Sequence, residues 1–262
     1  MEASRAYVAV RVTDMKGVDL NVYRFDWDLT FAALVMHPDG RIYHQYGTRT
    51  PEGAESHLSM ASLEALLRET LREHMAYETT RRRAVERDRP LTVESLPTMK
   101  RRVDGGKAPE CFHCHFVYQA MDEEARERGR FDPAVAWRWP PASRIGLHLE
   151  RDDQRAVRAV EAGSPAAQAG IVAGDRVERL GDRAVLTEGD VQWVLEGERG
   201  RAATLPVVVR RGEEELTLRV KLKKDWEVGA PEDLWRPTMW RLDPKPGFGG
   251  PMLAPDEKAR LG

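Results

Sequence analysis

Two cysteines three positions apart are the residues with the clearest capacity for chemistry. Cys111 and Cys114 are the only two cysteines of the chain, and His115 follows the second directly. On a helical turn, side chains at i and i+3 share a face, so both thiols could form thioethers to one porphyrin edge while the histidine reaches the iron. The spacing therefore predicts a haem c attachment site made by Cys111, Cys114 and His115.

Two other chemistries fit the same cysteines. His113 lies between them, so the stretch offers up to four soft or borderline ligands for a zinc or copper ion. The pair could also be a dithiol, which would make the protein a thiol-disulfide oxidoreductase using Cys111 and Cys114. Dithiol sites open a helix after a strand, whereas this pair follows a segment with several prolines and glycines. The sequence favours haem c and leaves both alternatives open.

A haem iron held by His115 has either a sixth ligand or an open site. Met99 is the sixth ligand that we favour, with Met75 or His148 as alternatives if neighbouring domains fold over the haem. Residues 116–128 favour a helix, as the motif needs. Because the segment is shorter than an ordinary cytochrome c domain, we expect a partly exposed haem. Exposure suits electron transfer to a redox partner protein.

The N-terminal part of the chain has the pattern of an α/β unit. Residues 7–12 and 29–36 are strand-length runs rich in β-branched and aromatic side chains, which predicts two inner strands. The sequence His-Pro-Asp-Gly at 37–40 has the chemistry of a tight turn, and residues 41–46 alternate as a half-buried partner strand. These features predict a hairpin.

A helix should follow the hairpin. Ser59 and Ser62 are candidate N-caps. The apolar face of this helix consists of leucines at spacings of i, i+3, i+4 and i+8, namely Leu63, Leu66, Leu67 and Leu71.

This order of elements resembles the C-terminal two-thirds of a thioredoxin-like fold over about residues 5–77. The resemblance implies a partial thioredoxin-like domain over residues 1–77. The family carries a cis-proline where this chain has Leu29, and its first strand and cysteine-bearing helix would precede Tyr7. We therefore expect either an N-terminally truncated fragment or a domain completed by something else.

Composition shifts sharply after residue 77. Residues 78–142 are predicted to be a basic linker followed by the helical segment that carries the cysteines. The arginine run at 81–83 is interpreted as a solvated face, because the whole chain has a formal net charge of only −2. That charge also argues against nucleic acid as a partner.

The segment from residue 143 to residue 225 resembles a bacterial PDZ domain. The resemblance rests on the order of its short strands, helices and turns, which include Ile145-Gly146-Leu147, the Ser-Pro-Ala-Ala-Gln-Ala-Gly stretch at 164–170, and Ala-Gly-Asp-Arg-Val at 173–177. A helix near residues 188–195 and a pair of alternating strands complete the pattern. The fold class is therefore α/β plus mainly-β.

Peptide binding follows from the same residues. Gly146 would let successive N–H groups converge on a carboxylate, and an edge strand starting at Leu147 could accept a protein C-terminus or an extended peptide as an added strand. The predicted pocket for the last side chain of the peptide is lined by Ile145, Leu147, Val191, Val194 and Leu195, with Glu188 and Asp190 tuning its selectivity. Filling of the core is the alternative role for Val191 and Val194.

Residues 226–262 contain tryptophans spaced among prolines and are predicted to be a strap over a neighbouring domain. The longest apolar runs fall far short of the roughly 18 residues that span a bilayer, so no membrane span is expected.

The whole arrangement resembles extracytoplasmic multidomain proteins of planctomycete type that join a thioredoxin-like unit, a Cys-x-x-Cys-His motif and a PDZ domain. The stretches at 23–30, 111–115 and 247–251 carry this resemblance. It implies export, since haem c is attached outside the cytoplasm. The N-terminus lacks the pattern of a signal peptide, so we expect a periplasmic protein if a leader lies upstream of Met1 and a cytoplasmic one if the chain is complete.

The sequence leaves three functions open. The first is a PDZ protein that binds peptides and carries haem c for electron transfer, without being an enzyme itself. The second is the oxidoreductase, and the third is a PDZ adaptor with a structural zinc or copper site.

Overall fold

A computed structural model describes residues 3–80, 89–106 and 110–229. The α-helices are α1 Met60–Thr80, α2 Pro97–Asp104, α3 His115–Glu127, α4 Pro165–Gln168 and α5 Glu188–Gly197. The strands are β1 Ala33–Met36, β2 Ile42–Tyr46, β3 Leu147–Leu149, β4 Val157–Val160, β5 Arg176–Leu180, β6 Arg183–Ala184, β7 Ala203–Arg211 and β8 Glu214–Leu222. Four short 3-10 helices cover Ala3–Ala6, Val93–Ser95, Pro133–Trp137 and Ala142–Ile145. The arginine run at 81–83 and the tail from residue 230 lie outside the described residues.

The predicted hairpin is confirmed. β1 pairs with β2 antiparallel across the turn at 37–40, where Gly40 has a φ of 91°. The predicted helix is α1, and Ser59 caps it by accepting a hydrogen bond from the Ser62 backbone N–H at 3.1 Å. Leu66, 1% exposed, packs in a small cluster with Val35 and Tyr46.

The prediction of a strand at 7–12 is wrong. These residues pair with no strand of the described chain, and Val8, Val10 and Val12 are 93%, 80% and 58% exposed. β-branched residues favour a strand only when a neighbouring strand and a core face are present, and the described sheets offer this segment neither. The thioredoxin-like resemblance stays a prediction.

The described part of the predicted linker segment contributes residues to a hydrophobic core. Met99 in α2 is fully buried, as are Val93 and Phe112, and they share a hydrophobic cluster with Met15 and Trp27 from the N-terminal region. This central cluster also includes α3, whose bounds agree with the predicted helix at 116–128. Burial of these apolar side chains makes the segment a structural unit.

The C-terminal region contains two sheets around one core. β3 and β4 form an antiparallel pair, and the larger sheet has the order β6-β5-β7-β8. α5 lies against them through Val191 and Leu195, both fully buried. No described helix is long and apolar enough to cross a membrane.

The hairpin packs on the first turn of α5. The Thr187 hydroxyl donates a hydrogen bond to the Gln45 carbonyl and accepts one from the Asp190 backbone N–H at 3.1 Å, so one side chain caps the helix and binds β2. His44 Nδ1 lies 2.8 Å from Asp190 Oδ2, and its Nε2 lies 2.8 Å from Glu73 Oε2 on α1. This buried histidine therefore joins α1, β2 and α5.

Candidate functional site

The Ile145-Gly146-Leu147 turn adopts the predicted glycine conformation. Gly146 has a φ of 75°, a left-handed value that favours glycine. Its N–H already donates a 2.9 Å hydrogen bond to the Ser143 carbonyl within the Ala142–Ile145 3-10 helix. In this conformation the glycine N–H faces its own turn, so a carboxylate would have to reach other donors.

One edge of β3 is free of strand partners in the described chain. The two residues that flank the strand bond to the β4 side. The Gly146 carbonyl accepts from the Glu161 N–H, and the Glu150 N–H donates to the Ala156 carbonyl, both at 2.9 Å. In an antiparallel pair, alternate residues turn their N–H and C=O groups to opposite sides. Leu147 and Leu149 therefore direct theirs away from β4, towards the free edge.

The far side of the pair confirms this alternation. Val157 lies opposite Leu149. Its N–H donates to the Asp175 carbonyl at 2.8 Å and its carbonyl accepts from the Gly174 N–H at 2.9 Å, so both groups point away from β3. The pair of Leu149 and Val157 is thus not hydrogen bonded. Two residues of β3 offer four backbone groups to a further strand.

A cavity of about 400 Å³ lies along this free edge. All three residues of β3 line it, and one of its walls comes from a loop between β2 and α1 in the N-terminal region. The other lining residues are Thr50, Pro51, Glu52, His57, Pro141, Ser143, Arg144, Arg158, Glu161 and Glu188. The size is in the range of small-molecule and short-peptide sites.

The six predicted peptide-binding residues are placed differently from one another. Leu147 lines the cavity, and its side chain, like those of Ile145, Val191 and Leu195, is buried in the C-terminal core. Val194 packs against the same core and is partly buried. Their role as a pocket for the last side chain stays a prediction, since ordinary core packing accounts for their burial.

Sequence reasoning missed most of the cavity wall. Residues 50–57 come from a different part of the fold, and no local pattern in them indicates that they would lie beside β3. Arg158 and Glu161 could have been suspected from their places on or next to β4, the neighbouring strand.

Glu188, the first residue of α5, is the buried acid of the cavity. It is 2% exposed, and its Oε1 accepts a 2.7 Å hydrogen bond from the Ala142 N–H. Burial raises the pKa of its carboxyl, while the charge of His57 and the bond from Ala142 act in the opposite direction. Asp190 does not face the cavity, because it is fully buried between His44 and Arg183.

The cysteine segment lies in the central cluster, apart from the cavity lining. Both cysteines are free thiols; Cys111 is exposed and Cys114 is half-buried. Phe112 between them is fully buried. Its N–H donates to Asp14 Oδ1 at 3.0 Å, and its carbonyl accepts from the Met15 N–H at 2.8 Å. Burial raises the pKa of the Cys114 thiol, which disfavours the thiolate needed for disulfide exchange.

The residues predicted to hold haem c lie at and before the start of α3. His115 is the first residue of α3 and Cys114 is its N-cap, whereas Cys111 precedes the helix, so the expected helical turn that carries both cysteines is not formed. Met99 is fully buried in the same cluster that Cys114 packs against. Of the other sixth-ligand candidates, Met75 is 68% exposed on α1, and His148 is bonded to Glu161 in the cavity. No group of three or more His, Cys, Asp and Glu is placed to hold a metal ion within the described ranges.

Comparisons with solved structures return partial likenesses. The PDZ domain of HtrA3 bound to a phage-derived ligand (FGRWV) is 26% identical, with 25% of this chain and 56% of that chain covered and a TM-score of 0.23. A serine endoprotease from Yersinia pestis is 21% identical, covering 40% of this chain and 36% of that one, with a TM-score of 0.27. An aminopeptidase N family protein from Idiomarina loihiensis is 22% identical, with 34% and 16% covered and a TM-score of 0.26.

The chain thus spans little more than half of the first of these structures and less of the other two. A search of curated proteins found no significant match. The family model described as a PDZ domain matches residues 143–222, which include β3, β4, α5 and the four-stranded sheet. The chain therefore contains a PDZ domain at residues 143–222.

Proposed function

We propose that the protein binds an extended peptide or a protein C-terminus by adding it as a strand to β3. The observation that carries this proposal is the free edge of β3, where Leu147 and Leu149 turn four backbone groups towards a cavity of about 400 Å³. Main-chain hydrogen bonds to these groups give affinity that depends little on the peptide sequence. Side chains around the cavity then decide which peptide is preferred.

The end of the cavity nearest Gly146 is the expected place for a terminal carboxylate. Because the Gly146 N–H is used within its own turn, the donors there are the side chains of Ser143 and Arg144, which line the cavity. The Arg144 guanidinium lies 4.8 Å from the centre of the Trp137 ring, and this cation–π contact helps to position it. A carboxylate at this end would pair with its positive charge.

Binding is tested with the whole chain and fluorescent pentapeptide pools that have free C-termini. Ser143→Trp places a large ring in the cavity without removing a core side chain, so we expect it to weaken binding by about tenfold or more. Thr217→Trp adds the same ring at an exposed position on β8 and is the matched control, which should bind within a factor of about two of the unmodified protein. Thermal unfolding of both variants verifies that the fold is kept. Failure of every pool to bind, or equal binding by the tryptophan variant, would contradict the proposal.

A second proposal concerns the cysteines. We propose that Cys111 and Cys114 carry haem c and that His115 is its axial ligand, with Met99 as the candidate sixth ligand. The free thiols at the start of α3 support this proposal, as does the burial of Met99 in the adjoining cluster. Bound haem would supply one-electron transfer to a redox partner protein. The proposal also implies an extracytoplasmic location.

Expression together with a cytochrome c maturation system tests this second proposal. We expect a covalent mass increase and a Soret band that survives acid-acetone extraction, both lost in Cys111→Ser/Cys114→Ser. Met99→Leu should alter the spectrum while leaving the haem attached. Colourless protein with stoichiometric zinc, or with only a reversible dithiol, would overturn the haem proposal and leave peptide binding unaffected.

A further inference from the structure

We infer that the loop at residues 50–58 is part of the peptide site and that, with Glu188, it makes the cavity select a peptide carrying a basic side chain. This inference rests on the proposed peptide binding and adds to it a second wall and a ligand class. The loop lies outside the PDZ match at 143–222, so the PDZ domain alone would lack this wall of the cavity.

The loop is fixed against the PDZ domain by hydrogen bonds from two side chains. The Arg151 guanidinium donates to the Leu58 carbonyl at 3.0 and 2.7 Å. The Gln154 amide donates to the His57 carbonyl at 2.6 Å, and its oxygen accepts from the Glu188 N–H at 3.0 Å. Gln154 is 2% exposed, so the same buried amide positions the loop and the start of α5. Because the loop is already fixed, a ligand can contact it without the loss of conformational entropy that ordering a flexible loop would require.

Acids outnumber arginines in the cavity lining, where Glu52, Glu161 and Glu188 lie with Arg144 and Arg158, besides His57 and His148. His148 Nε2 lies 2.8 Å from Glu161 Oε1, and an Arg158 guanidinium nitrogen lies 3.8 Å from Glu52 Oε1. Glu188 has a hydrogen bond to only one of its carboxyl oxygens within the described part of the chain. A donor on a ligand in the cavity could therefore bond to the other oxygen, and such a charge-assisted hydrogen bond would favour a basic side chain.

Glu52 provides the second acidic contact from the loop. Its side chain is 55% exposed and its ion pair with Arg158 is loose, so a ligand cation can compete for it. An extended peptide alternates its side chains. One lysine or arginine directed away from β3 could therefore contact Glu188 at the base of the cavity and Glu52 on the loop.

The test uses the whole chain and pentapeptide pools in which one position at a time is fixed as lysine, norleucine or glutamate. We expect one position where the lysine pool binds about tenfold more tightly than the norleucine pool, with glutamate weakest. Glu188→Gln and Glu52→Gln should each reduce this lysine preference by about threefold or more. The matched control is Glu213→Gln, an exposed acid in the turn between β7 and β8, which should leave the preference unchanged.

The possible failures are distinguishable. If pools bind without a lysine preference, or if Glu52→Gln has no more effect than Glu213→Gln, the inference is overturned and strand addition at β3 stands. If Ser143→Trp binds as well as the unmodified protein, strand addition at β3 is itself overturned, and the inference falls with it.

Discussion

Gly146 has two independent reasons to be glycine. Its φ of 75° is left-handed, and a Cβ at this position would overlap the side chain of Ser164, which caps α4. The residue therefore sets the spacing between the β3 turn and α4 as well as the shape of the turn. A substitution here would test folding of the domain more than binding of a carboxylate.

We predict that Gly146→Val destabilises the protein by about 3 kcal/mol, the sum of left-handed strain and steric overlap. Gly163→Ala is the control, because Gly163 has a φ of 74° and a Cβ added there would have nothing within 4 Å. It should cost only about 1 kcal/mol. Urea unfolding of both variants measures the difference, and equal losses would show that contact with Ser164 is unimportant.

Sequence could predict the backbone of Gly146 but not its neighbour. The Ile-Gly-Leu pattern indicates a turn that needs a glycine, whereas the contact with Ser164 depends on how a later helix packs. The same limit applies to Cys111 and Cys114. Their spacing can be taken directly from the sequence, whereas the burial of Phe112 between them cannot be predicted from it.

At the scale of elements, the hairpin and α5 are coupled through the His44 cluster. Burial alone would lower the pKa of His44, but the charge and hydrogen bond of Asp190 and the hydrogen bond to Glu73 outweigh it and raise the pKa to about 9. At neutral pH the ring is protonated and donates from both nitrogens to the two carboxylates. Arg183 adds a further positive charge beside Asp190 at 2.8 Å.

The raised pKa predicts how stability depends on pH. Because the folded protein holds the His44 proton more tightly than the unfolded chain, this contribution is present in full below pH 6.5 and is lost as pH rises through about 9. Its size is at most about 3 kcal/mol. Unfolding free energies of the unmodified protein and of His44→Gln, measured across this range, should converge as pH rises. Parallel curves would contradict the prediction.

Elements were predictable where the pattern was local. β2, α3 and α5 appear close to their predicted bounds, and α1 and the β7–β8 pair appear in the predicted order, because alternation, caps and helical spacing are properties of short stretches of sequence. The strand expected at 7–12 failed, since strand formation needs a partner that the local sequence does not specify. Asp190 was expected to tune selectivity, yet it holds β2 against α5.

At the scale of the molecule, the PDZ domain shares its candidate site with the rest of the chain. The loop at 50–58 lines one side of the cavity and β3 the other. The sequence pattern identified the PDZ domain from its own segment but could not predict this shared wall. The wall depends on packing between residues far apart in the chain, as in the bond between Gln154 and His57, which are 97 positions apart. The proposed peptide site is therefore formed by the N-terminal loop together with the PDZ domain.

Amide hydrogen exchange with and without a bound pentapeptide pool tests strand addition most directly. We predict that the Leu147 and Leu149 amides slow by about tenfold or more at saturation, because a new strand would accept their free N–H groups. His148, which faces β4, serves as the internal control and should change much less. If peptide binds while the Leu147 and Leu149 amides exchange as before, the peptide does not extend the sheet at β3 and the account is wrong.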